Sequence, residues 1–595
     1  MEQGQAQTPP AKGTQAAKKH RIDRAVPGIG MLRTYKPAWL RFDLVAGIVL
    51  AAILVPQGLA YAELAGLPAV TGLYTTVVCL VVYALLGPSR VLVLGPDSSV
   101  SPLIFAAITP LLVANNTAEA VAMAGMLALM VGAIEIGLGL GKLGFIADLL
   151  SKEVQVGYMN GLAITILVGQ LPKLFGFSTD ADGFIQEVKA FVAGIDQTDV
   201  TTLVVGLCVL ALLLGLPRIS RKIPAVLVAV VAATVVSAVL GLSAEGVKTV
   251  GELPQGFPVP SFPWTSAADI GTLVAAAAGI VLVSLTDTIA TSSSFAARRG
   301  DEVDANHEMI AVGASNAAAG FFQGFAISVS SSRTAVAESS GARTQVTGLV
   351  GAVLVVVMLL FVPGLLADLP QTALAAVVIM AAISLMDIPA LVRFYRVRKT
   401  ALALSLVATI GVVFFGVLQG ILIAAILSIL LFFRRSWWPE GAVLGYVHDL
   451  KGWHSIERYP GAEETPGVVI YRWEAPLFFA NAGIFRQQIR KLVVERKPRW
   501  VVLQCEAITD IDVTAADMLK GLDHELNEHG IHIAFVELRT RLQERVETYG
   551  LLGELDREHF FAKIRPALRD IAAHDPDSDD APHRWVDALE DEEGD

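Results

Sequence analysis

Between residues 44 and 433 the chain is a near-continuous series of apolar stretches separated by short polar joints. They fall near 44–62, 68–87, 97–113, 119–138, 154–172, 201–216 and 223–242, and again near 270–297, 308–324, 331–340, 345–362, 371–386, 401–415 and 418–433. Charged residues make up 17% of the 595 residues and hydrophobic ones 54%, where a soluble protein carries roughly 25% charge. Nearly all of the polar excess lies at the two ends. The pattern predicts a polytopic α-helical membrane protein of 14 segments in a 7+7 arrangement, with soluble flanks. The stretch 401–433 holds no charged residue and would be about 50 Å long as one helix, against a hydrocarbon core of about 30 Å. It has to turn back, most easily at 416–420, GVLQG.

One stretch breaks the apolar monotony. Residues 325–341, FAISVSSSRTAVAESSG, lie deep in the hydrophobic region yet are rich in hydroxyls and carry Arg333 and Glu338. A charge at the centre of a bilayer costs at least ~2.5–3.5 kcal/mol, so such a residue marks a use. Residues 91–103, VLVLGPDSSVSPL, resemble this stretch. In both, a short β-prone run (91–94; 326–329) leads into small and hydroxyl residues and then a helical pattern. Paired interrupted segments in the two halves of a membrane protein point to a transporter's binding site. The expectation is two half-helix N-termini that face each other and hold an anion between them.

The loops supply an orientation. With the N-terminus inside, the inner loops carry Arg90, Lys142, Lys152, Arg218, Arg221, Lys222, Arg298, Arg299, Arg343, Arg393, Arg396, Arg398, Lys399, Arg434 and Arg435. The outer loops carry Lys173, Lys189 and Lys248 alongside Asp180, Asp182, Glu187 and Asp368. That bias places both ends in the cytoplasm of a multi-pass plasma-membrane protein. Seven segments per half is odd, so the second half is inverted relative to the first.

The flanks divide further. Residues 1–40 form a basic, cytoplasmic N-terminal segment whose first twenty residues read as disordered, with no cleavable signal peptide. Residues 41–435 are the membrane domain, and 436–465 read as a polar linker. Residues 466–575 alternate strands (468–473, 500–505, 532–536) with amphipathic helices (482–496, 515–528), the mark of a small α/β domain. Residues 576–595 form an acidic, disordered tail. That tail and the C-terminal third account for most of the net charge of −11, which therefore points to no nucleic-acid partner. Three cysteines, Cys79, Cys208 and Cys505, make neither a disulfide framework nor a zinc pattern.

Several motifs in order resemble the sulfate permease (SulP) family, the bacterial relatives of pendrin and prestin. They are VPQGLAYAELAGLPAVTGLY at 55–74, LGPDS at 94–98, VGYMNG at 156–161 and SSRT at 331–334. The soluble part resembles a STAS domain, with TDIDVT at 509–514 before a helix. The resemblance covers roughly residues 30–575. It implies a core of helices 1–4 and 8–11, a gate of helices 5–7 and 12–14, elevator-type alternating access and homodimers.

The candidate site residues carry competing readings. Gln57 follows Pro56 inside the first helix, where proline frees carbonyls. It either offers its amide to an oxyanion, as the resemblance implies, or bonds those carbonyls. Gly95, Pro96, Ser98 and Ser99 open the third helix, with the N–H groups of Ser98 and Ser99 as anion donors; they are also ordinary capping residues. Asp97 either caps the helix or binds a cation. Ser330, Ser331, Ser332 and Arg333 open the tenth helix, and Arg333 adds positive charge to the pocket or pairs with Glu338 or another carboxylate. Asp287, with Thr288 beside it and Thr291 one turn on, suits a coupling Na⁺ or H⁺, or else pairs with Arg333. Glu63 reads as interfacial, Glu135 as a polar contact and Asn160 as an interhelical hydrogen bonder. Thr514 sits where related anti-sigma antagonists carry a phosphorylated serine, but DVTA replaces DSSG; a helix N-cap is the plain account.

The function this supports is secondary active transport of an inorganic oxyanion, with sulfate the family default. Coupling is to H⁺ or Na⁺, with no other cofactor. Sodium-dependent bicarbonate or C4-dicarboxylate transport, an uncoupled exchanger or channel, and an anion sensor are the alternatives. No GxxxxGK[ST] loop, His-metal cluster or nucleophile–base arrangement is present in the sequence, so no enzymatic role is expected. The STAS part is expected to do no chemistry and to serve regulation, a protein partner or dimer stability.

Overall fold

The computed structural model describes residues 26–112, 116–144, 151–179, 183–220, 224–551, 555 and 559–574. The acidic tail, the first twenty residues and the loop charges Asp180, Asp182, Arg221 and Lys222 lie outside the described residues. Contacts divide the chain into two units, 1–428 and 429–595.

The first unit opens with a short helix α1 (Pro27–Arg33), followed by α2 (Leu40–Leu64) and α3 (Ala69–Leu86). A two-residue strand β1 (Leu94–Gly95) then leads to a short helix α4 (Ser101–Ile108). Next come α5 (Thr117–Leu140), α6 (Lys152–Phe175), α7 (Phe184–Ala193), α8 (Val200–Ile219) and α9 (Ala225–Leu240). The second half repeats the plan: α10 (Ala267–Arg299), α11 (Ala305–Phe321), strand β2 (Ser328–Val329), short helix α12 (Ser331–Ser339) and α13 (Val346–Phe361). It closes with α14 (Gln371–Leu385), α15 (Ile388–Val397), α16 (Lys399–Phe415) and α17 (Val417–Trp437). Each of the expected apolar segments has its helix; α1, α7 and α15 are additional. Seven described helices are long and apolar enough to cross a membrane, and the remaining apolar ones are shorter. The predicted reversal falls at Gly416, whose φ of 92° is cheap only for glycine and separates α16 from α17.

Helix packing sorts the membrane unit into two groups. In one, α11 packs on α5 and α3, α13 on α2 and α3, and α10 on α5 and α4. In the other, α6 packs on α16 and α14, while α8 packs on α14 and α9. Helix α14 also touches α2, across the two groups. Small residues permit the close approaches, as they do between helices in lipid. A Cβ on Gly72 would lie 1.9 Å from the Gly58 carbonyl oxygen, and one on Gly132 would lie 2.5 Å from that of Gly313.

The second unit carries a six-stranded mixed sheet in the order β4-β3-β5-β6-β7-β8. Its strands are β3 (Gly441–Val447), β4 (Gly452–Ser455), β5 (Val468–Trp473), β6 (Trp500–Gln504), β7 (His532–Val536) and β8 (Phe560–Phe561). Strands β5 to β8 run parallel, while β3 pairs antiparallel with both β4 and β5. The expected linker 436–465 is therefore corrected: it holds the end of α17 and the sheet's first two strands. Alternate side chains face opposite layers. Val469, Tyr471, Trp473, Val501 and Leu503 pack with α18 (Ala482–Arg496), α19 (Val513–Asn527) and α20 (Thr540–Thr548). Val468, Ile470, Val502 and Ala534 pack with α21 (Ile564–His574). Burial on both faces explains why these strands read as unbroken apolar runs.

Candidate functional site

The two interrupted segments meet. β1 and β2 pair antiparallel, with Leu94 opposite Val329 and Gly95 opposite Ser328. Two more bonds extend the junction: Ser330 N donates to the Val93 carbonyl at 3.0 Å, and Val93 N donates to Thr334 Oγ1 at 3.0 Å. The segments that lead into the short helices α4 and α12 thus lie beside one another, and α2 packs against both helices.

Arg333 lies at this junction with its side chain only 1% exposed. A Cβ on Gly95 would lie 2.9 Å from its Nη1, so glycine makes room for the guanidinium. Among the described residues, Nε, Nη1 and Nη2 of Arg333 have no hydrogen-bond partner. A buried polar group left in this state is costly, and a buried cation more so. Its nearest compensation is Asp97 Oδ2 at 3.6 Å, too far for a hydrogen bond. Glu338 does not serve: it pairs with Arg299 at 3.1 Å and Arg298 at 3.7 Å. The reason is helical geometry, since a residue five positions on sits about 140° round the helix. The alternative pairing of Arg333 with Asp287 gives way to Asp97 as well.

The capping is divided differently from the expectation. Ser330 is the N-cap of α12, its Oγ accepting from Arg333 N at 3.5 Å. Ser331 and Ser332 are exposed; the Ser331 hydroxyl lies 2.5 Å from Thr291 Oγ1, and Ser332 Oγ lies 3.2 Å from Ser330 Oγ. Residues Ser98 and Ser99 form a turn ahead of α4 rather than its first residues, and both are buried. The Ser99 N–H is not free for an anion: it donates to Asp97 Oδ1 at 3.0 Å, and the Ser99 hydroxyl donates to the same oxygen at 2.9 Å. Pro96 sets the chain direction between β1 and this turn.

Gln57 lies one turn before Tyr61 on the same face of α2. Tyr61 stands beside Ser98 and within electrostatic reach of Asp97 and Arg333. The buried Gln57 Oε1 has no partner among the described residues. Asp287, on α10, accepts from Gln155 Nε2 of α6 at 3.4 Å, a bond that crosses the two helix groups. The buried Thr288 Oγ1 beside it has no partner among the described residues. Asp287 and Thr288 are successive residues of α10, so their side chains leave the helix in different directions, while Thr291, one turn on from Asp287, shares a hydrogen bond with Ser331.

The sequence profile of the sulfate permease family matches residues 40–429, and that of the STAS domain matches 459–570. The chain belongs to the sulfate permease family. It is 42% identical to a probable sulfate transporter of Mycobacterium tuberculosis, over 91% of this chain and 97% of that one. It is 30% identical to the chloroplastic sulfate transporter 4.1 of Arabidopsis thaliana, over 92% of this chain and 82% of that one. A solved structure of SLC26A9 shares the fold with a TM-score of 0.85 at 24% identity, over 94% of this chain and 95% of that one. The transmembrane domain of the cyanobacterial bicarbonate transporter BicA aligns with a TM-score of 0.59 at 24% identity, over 66% of this chain and 98% of that one.

In this sulfate permease family member, other polar residues hold the scaffold. Glu135 is fully buried and accepts from Ser284 Oγ at 2.9 Å and Asn316 Nδ2 at 2.8 Å, the polar contact expected. Asn316 Oδ1 in turn accepts from Ile327 N at 2.7 Å, fixing the approach to β2. Asn160 Oδ1 accepts from Asp387 N at 3.0 Å, joining α6 to the start of α15. Two buried carboxylates escaped sequence reasoning. Asp43 accepts from Arg343 N (2.7 Å), Thr344 N (3.1 Å), Thr344 Oγ1 (2.7 Å), Thr347 Oγ1 (3.0 Å) and Tyr35 OH (3.2 Å). Glu308 accepts from Tyr83 OH at 2.7 Å and from Ser89 Oγ. In the STAS unit, Thr514 is exposed and is not the cap it was expected to be. Asp512 caps α19, with Ala515 N donating to its Oδ1 at 2.8 Å.

Proposed function

We propose that the chain is a secondary active transporter of an inorganic oxyanion, sulfate, across the plasma membrane. One observation carries this reading: a buried guanidinium without hydrogen-bond partners among the described residues, where the two interrupted segments pair. An oxyanion supplies the acceptors that Arg333 lacks, with charge-assisted bonds from both N–H and hydroxyl donors. Ser98, Ser331, Ser332 and Gln57 are the neighbouring candidates for the remaining contacts, with Gly95 and Pro96 shaping the wall. The names of the sulfate-transporting relatives support sulfate.

Transport requires the site to face each side in turn. The division into two helix groups supports an elevator motion, in which the group holding Arg333 slides against the group holding α6 and α14. Asp287 is the coupling site. With Thr291, one turn on, it offers oxygen ligands to Na⁺, or it takes a proton. A cation there offsets the charge of the anion on the way through. Sodium-driven bicarbonate uptake is the second reading, favoured by Asp287 and Thr291 one turn apart on α10.

Proteoliposomes loaded with the full chain test both. Labelled sulfate, bicarbonate and succinate are offered while Na⁺ and pH gradients are varied separately. Sulfate accumulation driven by one gradient is expected, with Arg333→Ala folded but inactive. Wild-type uptake in folded Arg333→Ala refutes the site. Uptake in Asp287→Asn that still follows the gradient refutes the coupling role.

A further inference from the structure

We propose that the start of α2 and the joint between α12 and α13 form a site for the headgroup of an anionic phospholipid, with Arg41 and Arg343 as its phosphate ligands. Phe42 organises the site. The guanidinium carbon of Arg41 stands 4.5 Å from the centre of that ring, and that of Arg343 stands 5.6 Å from it. A Cβ on Gly341 would lie 3.5 Å from Phe42 Cδ1, so the ring packs against the joint that carries Arg343. Two like charges thus converge on one aromatic ring, one from each half of the chain. Both arginines are exposed, and among the described residues neither guanidinium has an ion pair or a hydrogen bond. The nearest carboxylate in sequence does not serve them. Asp43 is fully buried and accepts instead from the N–H groups of Arg343 and Thr344 and from the hydroxyls of Thr344, Thr347 and Tyr35. Arg298 and Arg299, by contrast, share Glu338. An anion between two uncompensated guanidiniums relieves their repulsion, and the arginine fork matches phosphate oxygens.

The surroundings select a lipid over a free phosphate. Tyr35 and Trp39 meet edge to face with ring centres 5.9 Å apart, and Lys36 Nζ stands 5.6 Å from the Trp39 ring. Tryptophan and tyrosine gather at the level of the headgroups, which places this end of α2 there. Further along α2, one and two turns on from Arg41 and on its side of the helix, Leu44, Val45 and Ile48 are exposed. An apolar face that begins directly below a pair of guanidiniums fits a molecule with a phosphate at one end and acyl chains at the other. Inorganic phosphate satisfies only the first half of that surface. The bound headgroup ties the start of α2 to the joint before α13 from the lipid side, as Asp43 does from within.

The full chain, stripped of lipid in detergent, is melted while dioleoylphosphatidylglycerol is added. Phosphatidylcholine with the same acyl chains and inorganic phosphate are the parallel probes. Phosphatidylglycerol is expected to raise the melting temperature by about 2–4 °C beyond phosphatidylcholine, with no rise from inorganic phosphate. Each arginine near a headgroup is worth about fivefold in affinity, so the double variant Arg41→Gln, Arg343→Gln should raise the half-saturating lipid concentration about thirtyfold. Arg396→Gln, at an exposed arginine of α15 in the other helix group, should keep the wild-type value. A double variant that saturates like the wild type overturns the site, and so does an equal loss in Arg396→Gln. An equal rise with phosphatidylcholine shows recognition of acyl chains alone, and a rise with inorganic phosphate shows a site for the free ion; either overturns the proposal. If the double variant fails to fold, the single variants are read in its place. Each is expected to weaken binding about fivefold, and wild-type saturation in either one overturns the pairing of the two arginines.

Discussion

A single methyl group at Gly95 probes whether the position of Arg333 sets anion affinity. A Cβ there would stand 2.9 Å from Nη1, where ordinary contact begins near 3.4 Å. The guanidinium must retreat by about half an ångström, and as the far end of a flexible side chain it can do so without unfolding its surroundings. Gly95 also has a φ of 158°, which a side chain tolerates poorly, so part of the cost is local backbone strain read by the melting curve and the rest falls on the bond to the anion. A hydrogen bond to a charged group contributes about 1.5–3 kcal/mol, and a displacement of this size forfeits part of it. A loss of about 1 kcal/mol raises KM about fivefold. Gly95→Val, with two further carbons in the same space, should lose the bond outright, a change of about tenfold to a hundredfold.

The assay is labelled-anion uptake at varied concentration, with a detergent melting curve to confirm folding. Gly137→Ala and Gly169→Ala serve as controls, because nothing lies within 4 Å of a Cβ at either position. The expected order of KM is controls equal to wild type, then Gly95→Ala, then Gly95→Val. A folded Gly95→Val protein with wild-type KM would show that Arg333 can move freely without consequence, and the argument from its placement would fail.

Three further expectations concern the scaffold. Asp43→Ala strands two backbone N–H groups and two hydroxyls at the start of α13, and should destabilise the membrane unit by about 3–5 kcal/mol in a detergent melt; a loss below about 1 kcal/mol would mean water replaces the carboxylate. Asp512→Ala should cost the STAS unit about 1 kcal/mol while Thr514→Ala stays within about half of that, a contrast that reverses if Thr514 is the cap. The Arg490 and Arg486 guanidiniums beside Glu525 hold its carboxyl down to about 2, against an ordinary 4.5. Because the folded value is the lower one, this pair stabilises above the ordinary value and the contribution fades as pH falls from there towards 2. Glu525 is 28% exposed and Arg490 half-exposed, so solvent limits the gain to about 1 kcal/mol or less. Glu525→Gln should therefore melt slightly lower at neutral pH and equal the wild type in strong acid; a difference that persists there refutes the ionic account.

What the sequence made legible follows from how local each signal is. Apolar runs punctuated by arginines and glycines mark helix limits, because lipid forbids both charge and unpaired backbone along the span. Gly416 could be placed as a reversal for the same reason: one helix of that length has nowhere to go. The twin interrupted segments were visible as composition, and their antiparallel pairing is what a membrane-buried break demands, since each β-prone run must find backbone partners. The linker was misread because 441–447, GAVLGYV, is rich in small residues and shows little alternation; it becomes a strand by pairing with 468–473.

The polar partners were not legible, and the reason is distance along the chain. Arg333 had Glu338 close in sequence but on another side of its helix, whereas Asp97 comes from the other half of the molecule. Asp43 and Glu308 sit near helix starts, where a carboxylate ordinarily caps or meets water, and nothing local says that each is fully buried. Tyr35 apart, their donors lie 219 to 304 residues away in sequence. A buried charge in a membrane protein is settled by whichever group the fold delivers to it, so periodicity finds the charge and only topology finds its partner. That is also why Arg333 stands out. Among the carboxylates and cations buried in the membrane unit, Asp43, Glu135 and Glu308 are bonded by donors on every visible side, while the guanidinium is left with one distant carboxylate. The scaffold satisfies these acids and leaves Arg333, the one fully buried cation among the described residues of this unit, without a bonded partner, a state that the acceptors of an oxyanion would relieve.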